Sequence, residues 1–134
     1  MRHRSNKTAK LYRDNNSIRF EFLTDCRHTC VACGRGAFSV DEILRGKNRL
    51  RAFSVRACWL PACDTCNTGP LADPAAWPLA KKLAAKLLCD PQYFDLQKIR
   101  EVNAPAGCSN PPVLVTADDV LEALRQLLIE RGGA

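Results

Sequence analysis

Two Cys-x-x-Cys pairs, at residues 30–33 and 63–66, constrain the fold of this chain more than any other feature of its sequence. Two intervening residues let both thiolates of one tight turn reach the same ion, at about 2.3 Å for zinc. Gly34 follows the first pair, and glycine tolerates the positive φ that such a turn often needs. The sequence therefore predicts a structural zinc site formed by the four paired cysteines, Cys30, Cys33, Cys63 and Cys66.

The compartment of the protein supports metal binding by these thiols. No apolar export signal follows the basic residues at the start of the sequence, so we expect a cytoplasmic protein whose cysteines stay reduced. Iron in a rubredoxin-like site would use the same four ligands, and redox-active cysteine pairs are a further alternative. Cys26 and His28 lie close enough in sequence to the first pair to serve as substitute ligands. The remaining cysteines are predicted to be small buried or half-buried apolar residues: Cys58, Cys89 and Cys108.

Lysine and arginine are concentrated in the first half of the chain. Up to Arg56 there are 13 Lys and Arg against 5 Asp and Glu, whereas the remainder holds 7 against 9. Such a basic region is typical of proteins that neutralise nucleic-acid phosphates, although a solvated basic face would have the same composition. No apolar run approaches the roughly 20 residues of a membrane helix, so no membrane partner is expected. The length of 134 residues suits one domain.

The first half of the chain has the sequence pattern of a polar arm followed by short strands. Residues 1–16 are polar and basic and are predicted to form a flexible arm. Short segments of alternating or β-prone residues predict three strands, at residues 18–23, 38–44 and 55–60. A basic loop at residues 45–51 separates the second strand from the third.

The second half has helical spacing. Leu79, Leu83 and Leu87 predict an amphipathic helix with its leucines in the core and its lysines on other faces, beginning at Pro74 or, because of Pro78, later. Shorter helical patterns follow at residues 95–102 and, after a capping-box-like Thr116, up to the glycines at 132–133. The last helix could cap the core or form a dimer surface. We expect an α+β fold in three parts: an arm (1–16), a zinc-binding domain (17–104), and a linker with a C-terminal helix packing on the same domain (105–134).

Oxygen ligands for a second metal lie close to the cysteine pairs in sequence. About 29 residues separate the pairs, which is long for a simple zinc ribbon. The inserted strand carries adjacent carboxylates, Asp41 and Glu42, and Asn67 directly follows the second pair. If the zinc turns bring these segments together, Asp41 and Asn67 would hold Mg²⁺ or Mn²⁺, a harder ion able to activate water and bridge a phosphate. Solvent-facing strand carboxylates are the alternative interpretation.

At these positions the chain resembles the HNH endonuclease family, and more narrowly small HNH-like proteins of phages and bacteria. The shared segments are Cys30-Val31-Ala32-Cys33-Gly34, Val40-Asp41-Glu42-Ile43 with Arg45-Gly46, Trp59 to Asn67, and Trp77-Pro78-Leu79-Ala80. The resemblance covers roughly residues 20–102. It implies a zinc-stabilised ββα-metal core with added C-terminal helices, in the cytoplasm of a bacterial or phage-infected cell.

The resemblance also implies a role for each motif position. Asp41 and Asn67 occupy the places of the family's metal ligands, and Glu42 that of the histidine that activates water. Cys58 stands where the family has the asparagine that orients this base. A glutamate near its ordinary pKa of about 4.3 is a weaker base at neutral pH than a histidine near about 6.5, unless burial raises its pKa.

The function expected from the resemblance is metal-dependent endonuclease activity, with DNA as the favoured substrate. Asp41, Glu42 and Asn67 would be catalytic, with structural Zn²⁺ and catalytic Mg²⁺ or Mn²⁺. The basic loop would neutralise phosphates without reading bases, through Arg45, Lys47, Arg49 and Arg51. The alternative is a catalytically inactive zinc module that binds DNA or RNA. An iron-bound electron carrier is a third interpretation, which the basic charge does not favour.

Overall fold

A two-stranded antiparallel hairpin joins the two cysteine pairs in this structure, a computed structural model that describes residues 6–44, 49–68, 74–104 and 107–132. The elements in chain order are α1 (Asn6–Asp25), β1 (Ser39–Glu42), α2 (Arg49–Ala52), a 3₁₀ turn (Arg56–Cys58), β2 (Trp59–Ala62), α3 (Asp64–Thr68), α4 (Leu79–Cys89), a second 3₁₀ turn (Pro91–Tyr93), α5 (Leu96–Asn103) and α6 (Ala117–Glu130). This mixture of helices with a small sheet confirms the α+β class. None of the described helices combines the length and apolarity that a membrane crossing needs.

Both predicted hairpin strands are present, but their boundaries are shifted, most of all at the start of β2. Strand β1 lies at the centre of the predicted segment 38–44, and its residue Glu42 pairs opposite Trp59 of β2. Strand β2 starts four residues later than the predicted segment 55–60, because the 3₁₀ turn takes the intervening positions. The side chains of β2 are buried throughout its length.

The predicted strand at residues 18–23 is wrong, because these residues lie within helix α1. In a strand Ile18, Phe20 and Phe22 would share one face, whereas Phe22 is fully buried and Phe20 is 62% exposed. Buried and half-buried side chains instead recur at helical spacing along α1 and into the turn that follows it: Leu11, Asn15, Arg19, Phe22 and Cys26. Residues 6–16 form the first half of this helix in place of the predicted arm, and residues 1–5 lie outside the described residues.

Trp59 is the largest fully buried side chain and connects α1, α2 and the hairpin. The edge of its ring contacts Phe22 of α1, with ring centroids 5.5 Å apart. Its indole Nε1 donates to the carbonyl of Phe53 at 3.1 Å, so the one polar atom of the side chain is satisfied inside the core. The hairpin is therefore fixed against α1 by the same residue that begins β2.

Helix α4 buries two of the three lysines that the sequence analysis placed on its outer faces. Leu83 is buried as predicted, but Lys82 and Lys86 are buried as well. The Lys82 ammonium donates to the carbonyl of Ile43 at 3.2 Å, and that of Lys86 to the carbonyl of Trp59 at 3.0 Å. The two lysines thus bind the hairpin by donating to its backbone.

Side chains cap the last two helices, and the cap at Thr116 is the one that the sequence predicts. Asp95 accepts from the amide of Lys98 at the start of α5, and Thr116 and Asp119 form a reciprocal capping box at the start of α6. Two apolar residues of α6, Val120 and Leu127, are buried in the same core as α4 and the hairpin. The C-terminal helix therefore packs on the core through this face.

Candidate metal centre and adjoining cleft

The four paired cysteines come together at one point, as their spacing predicts. The sulfur atoms of Cys30, Cys33, Cys63 and Cys66 all lie within 4.8 Å of one another. The Cys33 and Cys63 sulfurs are 3.6 Å apart. At a metal–sulfur distance of about 2.3 Å, the corners of a tetrahedron are about 3.8 Å apart. The cluster therefore has the size and donor type to hold one metal ion such as zinc.

Local backbone geometry builds each half of this metal centre. After the first pair, Gly34 adopts a φ of +77° and its amide donates to the carbonyl of Cys30 at 2.9 Å. In the second pair the amide of Cys66 points at the sulfur of Cys63, 3.4 Å away. This backbone hydrogen bond, together with hydrogen bonds among the cluster thiols, lowers the pKa of the Cys63 thiol to about 7, whereas burial and the neighbouring thiols raise the pKa of Cys66, so the cluster favours its thiolate at Cys63.

Two contacts connect the metal centre to the rest of the fold. The amide of Val31, within the first pair, donates to the carbonyl of Pro61 in β2 at 3.1 Å. The carbonyl of Val31 accepts from the guanidinium of Arg131, at the end of α6. The first cysteine turn is thus held between the hairpin and the C-terminal helix.

The other candidate ligands lie outside the cysteine cluster. Neither Cys26 nor His28 belongs to the described group of residues that could share an ion. Cys58 is buried and Cys89 half-buried, as predicted, whereas Cys108 is exposed. Burial raises the pKa of Cys58 to about 12, so this thiol stays protonated at neutral pH. In the place where the resemblance expects an orienting asparagine, the chain has an inert core residue.

An open cleft of about 400 Å³ lies between α1 and the hairpin. Glu42 and Asn67, two of the three residues predicted to be catalytic, are on its wall. Asp41 is not among the lining residues and is almost completely buried. The cleft is lined by Tyr12, Asn16, Arg19, Phe20, Leu23, Phe38, Ser39, Val40, Glu42 and Asn67. The structure therefore brings Glu42 to the same cleft as Asn67 and does not show Asp41 there.

Glu42 forms an ion pair with Arg19 of α1, with Nη2 and Oε1 2.9 Å apart. Both side chains are largely buried, at 12% exposed for Arg19 and 4% for Glu42. The same Arg19 nitrogen donates to the carbonyl of Phe53 at 2.8 Å, and the guanidinium lies 3.5 Å from the centre of the Phe53 ring. The carboxylate that was predicted to activate water is thus held by a well-fixed cation.

The basic loop is described only in part. Arg45 and Lys47 lie outside the described residues, and of Arg49 only the backbone, at the start of α2, is described. Arg51 is exposed, but its guanidinium donates to the carbonyls of Ala104 and Glu101 at the end of α5. This side chain joins α2 to α5, a structural contact that the sequence analysis did not expect.

Three cleft residues were missed by the sequence analysis, namely Arg19, Phe20 and Phe38. Arg19 lies between apolar residues in the sequence, but a charged residue is normally assigned to the surface, so no local pattern marks it as buried. Phe20 was assigned to the wrong element, and nothing in its surrounding sequence indicates exposure. Comparison with known proteins finds no family model, no curated protein and no solved structure that matches this chain.

Proposed function

We propose that this protein is a metal-dependent endonuclease of the HNH type, whose active site is the cleft between α1 and the hairpin. The observation that carries the proposal is that Glu42 and Asn67 line one open cleft beside the four-cysteine cluster. The order of cysteine pair, strand, strand, cysteine pair and helix supports a ββα-metal core. The concentration of basic residues before Arg56 supports a nucleic-acid substrate, with DNA favoured.

In this proposal the four cysteines hold a structural zinc ion. Four thiolates in a closed tetrahedral set suit Zn²⁺, and a closed set leaves no position for a substrate. The backbone amide that lowers the pKa of Cys63 favours ligation at neutral pH. The zinc would therefore fix the two cysteine turns and, with them, the ends of the hairpin.

The cleft offers oxygen donors of the type that Mg²⁺ and Mn²⁺ prefer. The Glu42 carboxylate and the Asn67 amide oxygen would hold such an ion, which would supply charge neutralisation at the phosphate and a water of lowered pKa. Arg19 provides a cation on the same wall, placed to contact a phosphate oxygen. Asp41, the expected first ligand, is buried and has no substrate contact in this proposal.

The second candidate function is a catalytically inactive module that binds nucleic acid. The observation that favours it is the ion pair between Arg19 and Glu42, because a carboxylate held at 2.9 Å by a guanidinium is less available to a metal or a water molecule. Cys58 in place of an orienting asparagine points the same way. Both candidates share the zinc site and the nucleic-acid partner, and they differ in whether a bond is cut.

The test is nicking of supercoiled plasmid by the zinc-loaded protein, with Mg²⁺ or Mn²⁺ against EDTA. Under the proposal Glu42→Gln, which keeps the size and one acceptor of the side chain, lowers the nicking rate by about 100-fold or more while DNA binding stays unchanged. Because the substitution also removes the charge that pairs with the largely buried Arg19, the thermal midpoint falls, and rates are compared at a temperature at which both proteins are folded. Asp41→Asn serves as the matched control on the neighbouring strand position and retains nicking if it folds.

Each outcome of this assay separates the candidates. Nicking that needs the divalent ion and is lost in Glu42→Gln supports the endonuclease. DNA binding without nicking in any metal refutes it and leaves the binding module. A zinc-loaded protein that neither binds nor cuts DNA or RNA at low salt refutes both.

A further inference from the structure

Three aromatic rings form an exposed cluster at one end of the cleft. His28 lies between Phe20 and Phe38, with ring centroids 5.7 Å and 5.0 Å away. Phe38 is 74% exposed and Phe20 is 62% exposed, the highest exposures among the described large apolar side chains. Both phenylalanines also line the cleft that holds Glu42 and Asn67. Two large rings in water beside a polar cleft are a feature of recognition surfaces.

The backbone holds this cluster in a fixed position. Helix α1 ends in a Schellman turn, in which the amide of His28 donates to Leu23 at 2.8 Å and that of Arg27 to Thr24 at 2.9 Å. Arg27 and His28 both have a positive φ, +58° and +48°, a backbone conformation that residues other than glycine seldom adopt.

Hydrogen bonds to the next segment tie the histidine to Phe38. The carbonyl of His28 accepts from the amide of Ala37 at 2.7 Å. The Nδ1 atom of its ring lies 3.1 Å from the carbonyl of the same residue. The ring of His28 is therefore fixed from both sides, and the exposed phenylalanines are held against it rather than free on a loop.

Two arginines give the surroundings of the cluster a positive charge. Arg27 directly precedes His28 in the sequence. Arg35 lies opposite Cys30, whose amide donates to the carbonyl of Arg35 at 2.8 Å. Both side chains are exposed, and neither forms an ion pair within the described part of the chain. The nearby Asp64 carboxylate accepts from Ser39 at 2.7 Å. Cations beside open aromatic faces suit a ligand with flat rings and negative charge.

The wall behind the rings carries polar groups that can reach the edge of a flat ligand. Asn16 and Asn67 each offer an amide with two donors and one acceptor, and Arg19 also lines the cleft. A volume of about 400 Å³ is within the range of sites for small organic ligands. The cleft thus combines two exposed aromatic faces with hydrogen-bonding side chains on its lining.

We propose that this cleft receives an unpaired nucleobase, with Phe20 and Phe38 as its stacking platform and Arg27 and Arg35 as contacts to the flanking phosphates. The proposal deepens the function proposed above, on which it rests, by naming single-stranded or locally unstacked nucleic acid as the substrate class. In a duplex the faces of each base are covered by its neighbours, so a protein ring can reach only base edges. A strand with free base faces can use both the rings and the cations.

The test compares the affinity of the zinc-loaded protein for a short fluorescent oligothymidylate and for a duplex of the same length. Phe20→Leu and Phe38→Leu keep an apolar side chain but remove the π face. We expect each to weaken single-strand binding by about tenfold, as expected for a lost base–aromatic contact, and to leave duplex binding unchanged. Leu121→Ala, at an exposed apolar position of α6, is the matched control and changes neither affinity.

A direct readout of stacking comes from Phe38→Trp. The indole face keeps or strengthens single-strand affinity, and its emission is quenched when oligothymidylate binds. Thermal unfolding of each variant is measured alongside, and because both rings are exposed we expect unchanged midpoints. These measurements separate a stacking contact from a general loss of structure.

The outcomes distinguish the failure of this inference from the failure of the proposed function. If both leucine variants bind single strands as tightly as the wild type does, the stacking platform is refuted while nucleic-acid binding stands. A wild type that prefers the duplex, or that self-associates through this face in light scattering, also overturns it. If the wild type binds neither probe at low salt, the proposed function fails and this inference fails with it.

Discussion

Asp90→Ala tests the buried charge network that holds α1, the hairpin and α4 together. The carboxylate of Asp90 accepts from Lys86 at 2.7 Å and from two nitrogens of Arg56 at 3.1 and 3.0 Å. Lys86 is fully buried, and its ammonium also donates to the carbonyls of Arg56 and Trp59 and lies 4.7 Å from the centre of the Phe22 ring. Removal of the carboxylate therefore leaves a buried cation without its counter-ion.

The expected loss is about 3–5 kcal/mol of unfolding free energy, the usual cost when one member of a buried ion pair is removed. Asp25→Ala is the matched control, because Asp25 accepts from the same guanidinium at 2.9 Å but is 51% exposed. For such a pair we expect a loss of about 1 kcal/mol or less. Two carboxylates on one arginine thus differ several-fold in predicted effect because only one also neutralises Lys86.

The assay is urea unfolding of the zinc-loaded protein followed by circular dichroism. With a slope of about 1.5 kcal/mol per molar urea, the midpoint falls by about 2–3 M in Asp90→Ala and by less than about 0.7 M in Asp25→Ala. Equal shifts in the two variants would refute the reasoning, since burial would then not decide the cost. In a Lys86→Met, Asp90→Ala double variant, part of the loss should be recovered because the fully buried ammonium is gone and Arg56 still pairs with Asp25.

The same network predicts how stability depends on pH. Burial raises the pKa of Asp90, but hydrogen bonds from Arg56 and Lys86 outweigh this effect, and the pKa is lowered. A lowered folded-state pKa means that the stabilisation is complete above the ordinary value of about 4 and is lost as the pH falls through the folded value. The stability difference between wild type and Asp90→Ala should therefore be constant at neutral pH and shrink in acid. A difference that grows as the pH falls would contradict this sign.

Three further predictions concern the metal centre and its surroundings. Cys63→Ser should abolish metal binding and lower the thermal midpoint, and a strong chelator should have the same effect on the wild type. Cys58→Ala should keep full metal content by elemental analysis. Retained metal in Cys63→Ser would contradict the assigned site. Arg27→Gly should raise the unfolding free energy by about 1 kcal/mol, because glycine fits the left-handed end of α1, and should reduce the salt dependence of oligonucleotide binding; an unchanged midpoint and salt slope would speak against both. Arg51→Ala should lower stability with little change in nucleic-acid affinity, the reverse of what a phosphate contact predicts.

The metal centre was predictable because its signal is local. Two cysteines separated by two residues occupy a single turn, and Gly34 marks where the backbone takes a positive φ. Their spacing therefore determines which thiols meet, almost independently of the rest of the fold. The helix cap at Thr116 was predictable for the same reason, since its side chain bonds to an amide three residues away.

Helix α1 was misjudged because three alternating residues do not distinguish the two periodicities. Ile18, Phe20 and Phe22 alternate in sequence, yet only Phe22 faces the core. The helical pattern becomes visible only when the half-buried Arg19 is counted as a core-facing residue, and a charged residue is normally assigned to the outside. Its burial depends on Glu42, 23 residues away, which no local pattern reveals.

The burial of two lysines of α4 could not be predicted for a related reason. Lys82 and Lys86 have the helical spacing of a solvated face, but this face meets carbonyls of the hairpin and its flanking turn. The register between α4 and these carbonyls is a property of the tertiary packing. The cleft was equally hidden, because its walls come from α1, β1 and α3, and the sequence shows only that each contains polar residues.

The metal centre and the cleft are parts of one structural unit. The amide of Asn67 donates to the carbonyl of Cys63 at 2.8 Å, so the second cysteine turn sets the position of one cleft residue. At the other end, the ladder that begins with Cys30 continues to the hydrogen bond between His28 and Ala37 and leads directly to Phe38. A metal that fixes the four cysteines therefore fixes both ends of the cleft, although it contacts neither. Under the proposed function, we expect removal of the metal to weaken nucleic-acid binding before the helical core unfolds, since α4 and α6 are held by contacts of their own.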